Sequence, residues 1–429
     1  MLLQAPDKSR RQPSAASTAG VVRRIVLTRK GALTVGAVAL ATLVTVGAAA
    51  QEKTPRPAPA PPTAQGEAVA TESTDADADW TTFRGDLRRT GHHAESYSPL
   101  DDAVELWRYG TGARVESSPT LWRGRVFVGS FSGFLYALDA DTGEEIWRYD
   151  TGELVRASPA VVDGVVYFGS DDNRLHAVDA LTGERRWAFE FGEGGEQSSP
   201  AVVDGVVYFG AFDRHVYALD ADTGEERWRY DAGGSMLSSP AVEDDRLYIG
   251  VMDGTVHAVD ASSGQKIWNF KAGDKPIFAS PAIADGTLFI GAYDDHLYAL
   301  ATADGEERWR RQLGGPIFSS AAVAGGRVWV GAGDGFYALD PASGAVRWKS
   351  QEPTGSVFGS AAVSAAADRA YIGSSEMGLL IYDLEGTLVR RFDIGDKVWS
   401  SVTVAADGRF FVGAHDGHVY AFGRGPVRE

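Results

Sequence analysis

The sequence predicts an all-β fold: an eight-bladed β-propeller with four-stranded blades, closed by an N-terminal strand. A transmembrane or signal helix and a disordered linker precede it. Three observations predict the ring. A serine-headed segment recurs eight times, from Ser118, Ser158, Ser199, Ser239, Ser280, Ser320, Ser360 and Ser401, in steps of 40 or 41 residues. Each copy holds four short runs rich in Val, Tyr, Phe and Leu, with no helical period. A glycine followed four residues later by tryptophan closes most copies. Four strands per repeat of roughly 40 residues is the signature of a propeller blade. A single blade cannot cover both of its faces, so stacking around an axis must supply the core.

Within a copy the strands follow in order. The first comes after Ser-Pro, as in Ser158-Pro159, and the second is the Val165–Gly169 type. Asp-Gly pairs such as Asp163-Gly164 lie between them, where a tight hairpin turn is needed. The third strand is the Leu135–Asp139 type, and Thr-Gly pairs such as Thr142-Gly143 lead to a fourth that carries the tryptophan. Trp107, Trp147, Trp187, Trp228, Trp268, Trp309 and Trp348 make this column, and a ring of such residues would dock neighbouring blades. The last copy lacks its fourth strand. Glu105–Tyr109 matches Glu145–Tyr149, so it is expected to complete blade eight and join the two ends of the chain. Blade seven departs most, with Arg390 in the tryptophan column and a turn one residue short; it reads either as a mobile blade or as a partner surface.

The 429 residues would suit about three ordinary domains. The repeat instead places residues 80–424 in one ring. Residues 1–50 carry seven basic side chains and one acid, Asp7, so a head of +6 precedes a body of −23 within the net −17. That asymmetry is an export pattern, and the acidic body argues against nucleic-acid binding. Residues 1–30 read as a basic cytoplasmic segment or a signal n-region. Residues 31–50 are uncharged and long enough to span a bilayer as a helix, so they read as an anchor or as a signal h-region ending at Ala48-Ala49-Ala50. Arg23-Arg24-Ile25-Val26-Leu27 also resembles a twin-arginine signal. Residues 51–79, rich in Pro and Ala and then in Ser, Thr and Asp, read as a spacer. The propeller is therefore expected in the periplasm or outside the cell, tied to the membrane if residues 31–50 are kept. Cysteine is absent, which removes disulfides, thiolate metal ligation, a cysteine nucleophile and lipid attachment at an N-terminal cysteine.

Ala137-Leu138-Asp139-Ala140-Asp141-Thr142-Gly143-Glu144-Glu145-Ile146-Trp147 resembles the tryptophan-docking motif of the quinoprotein propellers, the PQQ-like repeat family. Trp80–Gly85 resembles the segment that often precedes them. The resemblance covers about residues 80–424 and implies two kinds of function. One is a dehydrogenase of alcohols or sugars, binding pyrroloquinoline quinone (PQQ) and calcium. The other is a non-catalytic scaffold such as the lipoprotein subunit of the outer-membrane barrel-assembly machinery. The dehydrogenases are typically longer, and many place a vicinal disulfide against the quinone. This chain has no cysteine, only two asparagines (Asn173 and Asn269) and blades of near-minimal length. The expectation is a monomeric, non-enzymatic propeller with an envelope protein or peptide as partner and no cofactor; PQQ and calcium belong to the alternative.

Other motifs read as structure. Asp139–Glu144 looks like a calcium loop, but its recurrence at Asp179 and Asp220 places it at a strand-connecting turn. Gly331–Gly335 looks like a phosphate loop but no helix follows. His92-His93, His415 and His418 read as isolated surface histidines rather than metal ligands, and no Ser/His/Asp set assembles. The repeats differ most two places before the ring serine, where the column reads Glu116, Arg156, Gln197, Leu237, Phe278, Phe318, Phe358 and Trp399. These eight should share one level near the mouth of the central channel. The aromatic half either builds a binding mouth with the polar half or fills space between blades.

Overall fold

The computed structural model describes residues 80–93, 101–195, 198–351 and 354–425. Residues 1–79, where the export segment and the spacer are expected, lie outside these residues. The described chain forms eight antiparallel sheets of four strands each. Blade one consists of β2 (Thr120–Trp122), β3 (Arg125–Gly129), β4 (Phe134–Asp139) and β5 (Glu145–Asp150), and six further blades repeat it in chain order. Blade eight is assembled from both ends of the chain. β1 (Val104–Gly110) pairs antiparallel with His418–Gly423, so Trp107 faces Ala421 across the seam. The predicted closure is therefore the observed one.

The turns explain the residue choices. Asp163 and Gly164 take φ of 49° and 74°, the doubly left-handed turn that joins twisted strands without splaying them. At the outer turn, Asp139 accepts hydrogen bonds from the amides of Asp141 and Thr142 at 3.0 and 2.9 Å. Asp179, Asp220, Asp260 and Asp340 repeat the arrangement. This carboxylate shapes the turn, as its place between strands implied.

Two contacts lock blade to blade. Where β4 pairs with β5 the register shifts between Ala137 and Leu138, so Trp147 pairs with Ala137 and Ile146 is the extra residue of β5. The bulge turns the indole toward the next blade. There Trp147 lies over Gly183, where a Cβ would come within 2.8 Å of its ring, and its Nε1 donates to the Ala180 carbonyl at 3.3 Å. Trp107, Trp187, Trp228, Trp268 and Trp309 do the same on Gly143, Gly224, Gly264, Gly305 and Gly344. Nearer the axis, a buried aliphatic residue from one blade packs on a glycine of a second strand. Val155 meets Gly129, Ile277 meets Gly250, and Val115 closes the circle on Gly413.

Blade seven follows the rule with different chemistry. Arg390 replaces tryptophan, and its Nη1 donates to the Asp101 carbonyl at 2.9 Å, the job Nε1 does elsewhere. Arg369 holds the Asp101 carboxylate at 2.5 Å, while Phe392, Phe410 and Phe422 fill the gap. The seam next to blade eight is thus bonded through arginine.

Trp268 is only 8% exposed, so Trp268→Ala should lower stability by about 3–5 kcal/mol, read by urea unfolding. A second expectation concerns His257. It is buried against Tyr230 Oη at 2.9 Å and Thr255 Oγ1 at 2.8 Å, and burial pushes its pKa down to about 4. The unfolded chain binds the proton first, so stability falls as pH drops from about 6.5 toward 4. His257→Gln should remove a loss on the order of 3 kcal/mol, measured by urea titration across that window.

Candidate functional site

The channel is closed at one end. Residues 80–93 form a collar around it, and their carbonyls accept bonds from the inner strands. Trp80, Thr81, Leu87, Arg88, Thr90 and Gly91 receive the amides of Leu121, Val161, Val242, Ile283, Val323 and Val363. The collar drives two arginines into the axis. Arg84 donates to the Ala361 and Ala321 carbonyls at 2.5 and 2.6 Å. Arg89 donates to the carbonyls of Pro240 and Pro200, both at 3.0 Å, and of Ser199 at 3.4 Å. Burial pushes their pKa values down to about 9 and about 10, so both remain cations at neutral pH.

Above the arginines lies a ring that the sequence marked only as a repeat boundary. Each serine amide donates to the hydroxyl of the next serine. Ser118 binds Ser158 at 2.9 Å, Ser158 binds Ser199 at 3.0 Å, and the pattern continues until Ser401 returns to Ser118 at 2.9 Å. Eight bonds of 2.8–3.2 Å close the circle.

The opposite end is open, and there the divergent column comes together. A cavity of about 170 Å³ is lined by the eight serines, by Phe83 from the collar, and by Glu116, Arg156, Leu237, Phe278, Phe318, Phe358 and Trp399. Gln197 lies outside the described residues. One arc is a continuous aromatic stack. Phe278 stacks on Phe318 at 5.4 Å, Phe318 meets Phe358 at 4.4 Å, and Phe358 stacks on Trp399 at 4.4 Å. Tyr293 caps the first pair edge-on, and His415 meets Trp399 at 4.4 Å. The preceding residue in each copy, such as Ile277, Ile317, Val357 and Val398, is at most 1% exposed, whereas the aromatics are half-buried and touch across neighbouring blades.

The other arc is charged. Glu116 lies 3.2 Å from His415 Nε2 and 3.6 Å from Arg114. Burial raises the Glu116 pKa and lowers that of His415, so desolvation favours the neutral form of each. Arg156 pairs with Asp171 at 2.8 Å, and both Arg114 and Arg156 lie over Phe131, at 4.2 and 4.9 Å. His415 is thus part of the mouth, and His93 is buried against Trp80; neither is the isolated surface histidine the sequence suggested. Phe131, Asp171, Tyr293 and His415 come from the loops between second and third strands, a second divergent column that the serine column did not point to. Among the described residues no three His, Asp or Glu side chains group as metal ligands. The stacked rings of the aromatic arc cover one another's faces.

Comparison with known proteins finds similarity to two propeller families, each over less than half of the chain. A family described as outer membrane protein assembly factor BamB matches residues 252–424. A family described as the β-propeller of the β-alanine-activating enzyme matches residues 96–287. No curated protein matches the chain. Among solved structures, the quinohemoprotein alcohol dehydrogenase of Comamonas testosteroni is 17% identical with a TM-score of 0.72, covering 82% of each chain. A europium-containing methanol dehydrogenase is 14% identical with a TM-score of 0.71, over 81% of this chain and 98% of that one. BamB from Moraxella catarrhalis is 19% identical with a TM-score of 0.64, over 76% of this chain and 99% of that one. At these identities the likeness is one of fold.

The serine circle yields a test. Ser239→Ala leaves the buried Ser199 amide without its acceptor, which should cost about 1–3 kcal/mol. Urea unfolding checks it, with exposed Ser262→Ala as the near-neutral control.

Proposed function

We propose that this chain is an exported, non-enzymatic propeller of the cell envelope, a scaffold whose open mouth binds a protein segment or ligand. One observation carries the reading. The half-buried aromatic half-ring lines a cavity, while a separate apolar column beside it is fully buried. Aromatic anchors beside charged groups are what a recognition site requires. The basic head and uncharged run of residues 31–50 support export, with the propeller held at the membrane or released after cleavage. The match to an outer-membrane assembly factor supports a partner within envelope protein assembly.

The test replaces Phe318, Phe358 and Trp399 together by alanine in the full chain. Crosslinking and mass spectrometry in the native envelope should then show at least tenfold less of the partner held by the wild type. Equal recovery by a folded variant would overturn the mouth as the site. The second reading, a PQQ-dependent oxidoreductase, is favoured by likeness to two dehydrogenase propellers. Titration with PQQ and calcium separates the two: the scaffold predicts neither a spectral change nor dye-linked oxidation of alcohols or sugars.

A further inference from the structure

The serine circle uses each hydroxyl once. Every ring Oγ accepts an amide hydrogen from its neighbour, and among the described residues none of the eight donates a hydrogen bond to protein. A hydroxyl has one hydrogen to give. Eight O–H groups are therefore unspent on serines at most 6% exposed, all lining one cavity. The ring amides are consumed within the circle, so the lumen meets hydroxyl donors.

The charge below the ring has one sign. Arg84 and Arg89 bond carbonyls of residues 321 and 361 on one side and of residues 199, 200 and 240 on the other, so they flank the axis just beneath the serines. Among the described residues neither has a carboxylate within ion-pair distance; Asp86 acts only at longer range and is turned to Thr90. At the rim, Arg114 and Arg156 face Glu116 and Asp171, and the buried Arg156 Nε makes no hydrogen bond. A chain that is acidic outside has thus placed uncompensated cations on its axis. Buried cations and converging donors, already desolvated, hold an anion without further reorganisation.

We propose that the serine ring is an anion site on the propeller axis, taking an oxyanion of the carboxylate, sulfate or phosphate type. In a larger ligand the aromatic arc would hold the apolar body attached to that group. Only this last clause rests on the scaffold reading. The cavity of about 170 Å³ admits one small oxyanion or the acidic end of a longer molecule.

Calorimetric titration of the full chain with sodium sulfate, 3-phenylpropionate and neutral 3-phenylpropanol tests it. Binding of either anion, with at least tenfold preference for 3-phenylpropionate over the alcohol, is the expected result. If sulfate alone binds, a free inorganic oxyanion is the ligand and the anion site stands. If 3-phenylpropionate binds more tightly and Phe318→Ala weakens it alone, the acidic end of an apolar ligand is the source. The double variant Ser239→Ala, Ser320→Ala should weaken both anions tenfold or more. Because it also opens the circle, Arg156→Gln, which leaves the ring intact, serves beside it and should weaken them about threefold. Selenate soaked into crystals of the wild type should give an anomalous peak on the axis within hydrogen-bond reach of the serines. No heat with either anion, equal binding of the alcohol, or a selenate peak with no binding in solution (an adventitious ion only) would each overturn the proposal.

Discussion

The structure depends on closing a circle. Seven blades can follow one another in chain order, but the eighth must meet the first with no cumulative error. The serine bonds supply that constraint at the tightest radius. The short distances, 2.8–3.2 Å, leave each blade little freedom to rotate relative to its neighbours. The proline after the serine in blades one to five disfavours the helical region at the serine and removes an amide that would otherwise need a partner inside the channel. Farther out, tryptophan on glycine sets the spacing between neighbours, and the arginine contacts of blade seven meet the same need where the chain ends join. Inner and outer locks act at different radii, so together they fix the tilt as well as the distance of each blade.

How much of this was legible depends on whether a feature repeats. Blade number, strand order, the outer docking column and closure through Glu105–Tyr109 all show in the period of the sequence, because each position recurs in the same surroundings. The serine circle recurs just as plainly, yet its meaning was hidden. A bond from Ser118 to Ser158 joins equivalent atoms of two repeats, and repetition alone cannot tell a contact between copies from a contact within one. The collar was less legible still. Trp80–His93 occurs once, has no period, and its arginines look like ordinary surface charges until the fold wraps them around the axis. Arg390 shows the limit from the other side. As a departure from the motif it suggested weakness, whereas its guanidinium finds the carbonyl that an indole nitrogen would have taken.

The mouth became legible where symmetry fails. Eight equivalent positions carry Glu, Arg, Gln, Leu, three Phe and Trp, although the scaffold asks the same of each. The four aromatics are half-buried and touch across neighbouring blades, while the column beside them is fully buried. The residue one place earlier is Val115, Val155, Met236, Ile277, Ile317, Val357 or Val398 in the described copies, uniformly aliphatic and buried. Both columns lie in the segment that leads into the first strand of each blade; the earlier is buried and the later lines the cavity. Variation confined to the later column is variation in what the cavity presents.

Stacking decides what the aromatic arc can offer. With centroids 4.4 Å apart from Phe318 through Phe358 to Trp399, the interior rings spend their faces on one another. An arc whose faces are taken up in this way has less to offer a planar ring seeking a free face than an open aromatic wall would have. The proposed anion site adds hydroxyl hydrogens beneath the arc and two buried guanidinium cations beneath those. A ligand suited to both would enter acid first, with its apolar remainder against the aromatic arc.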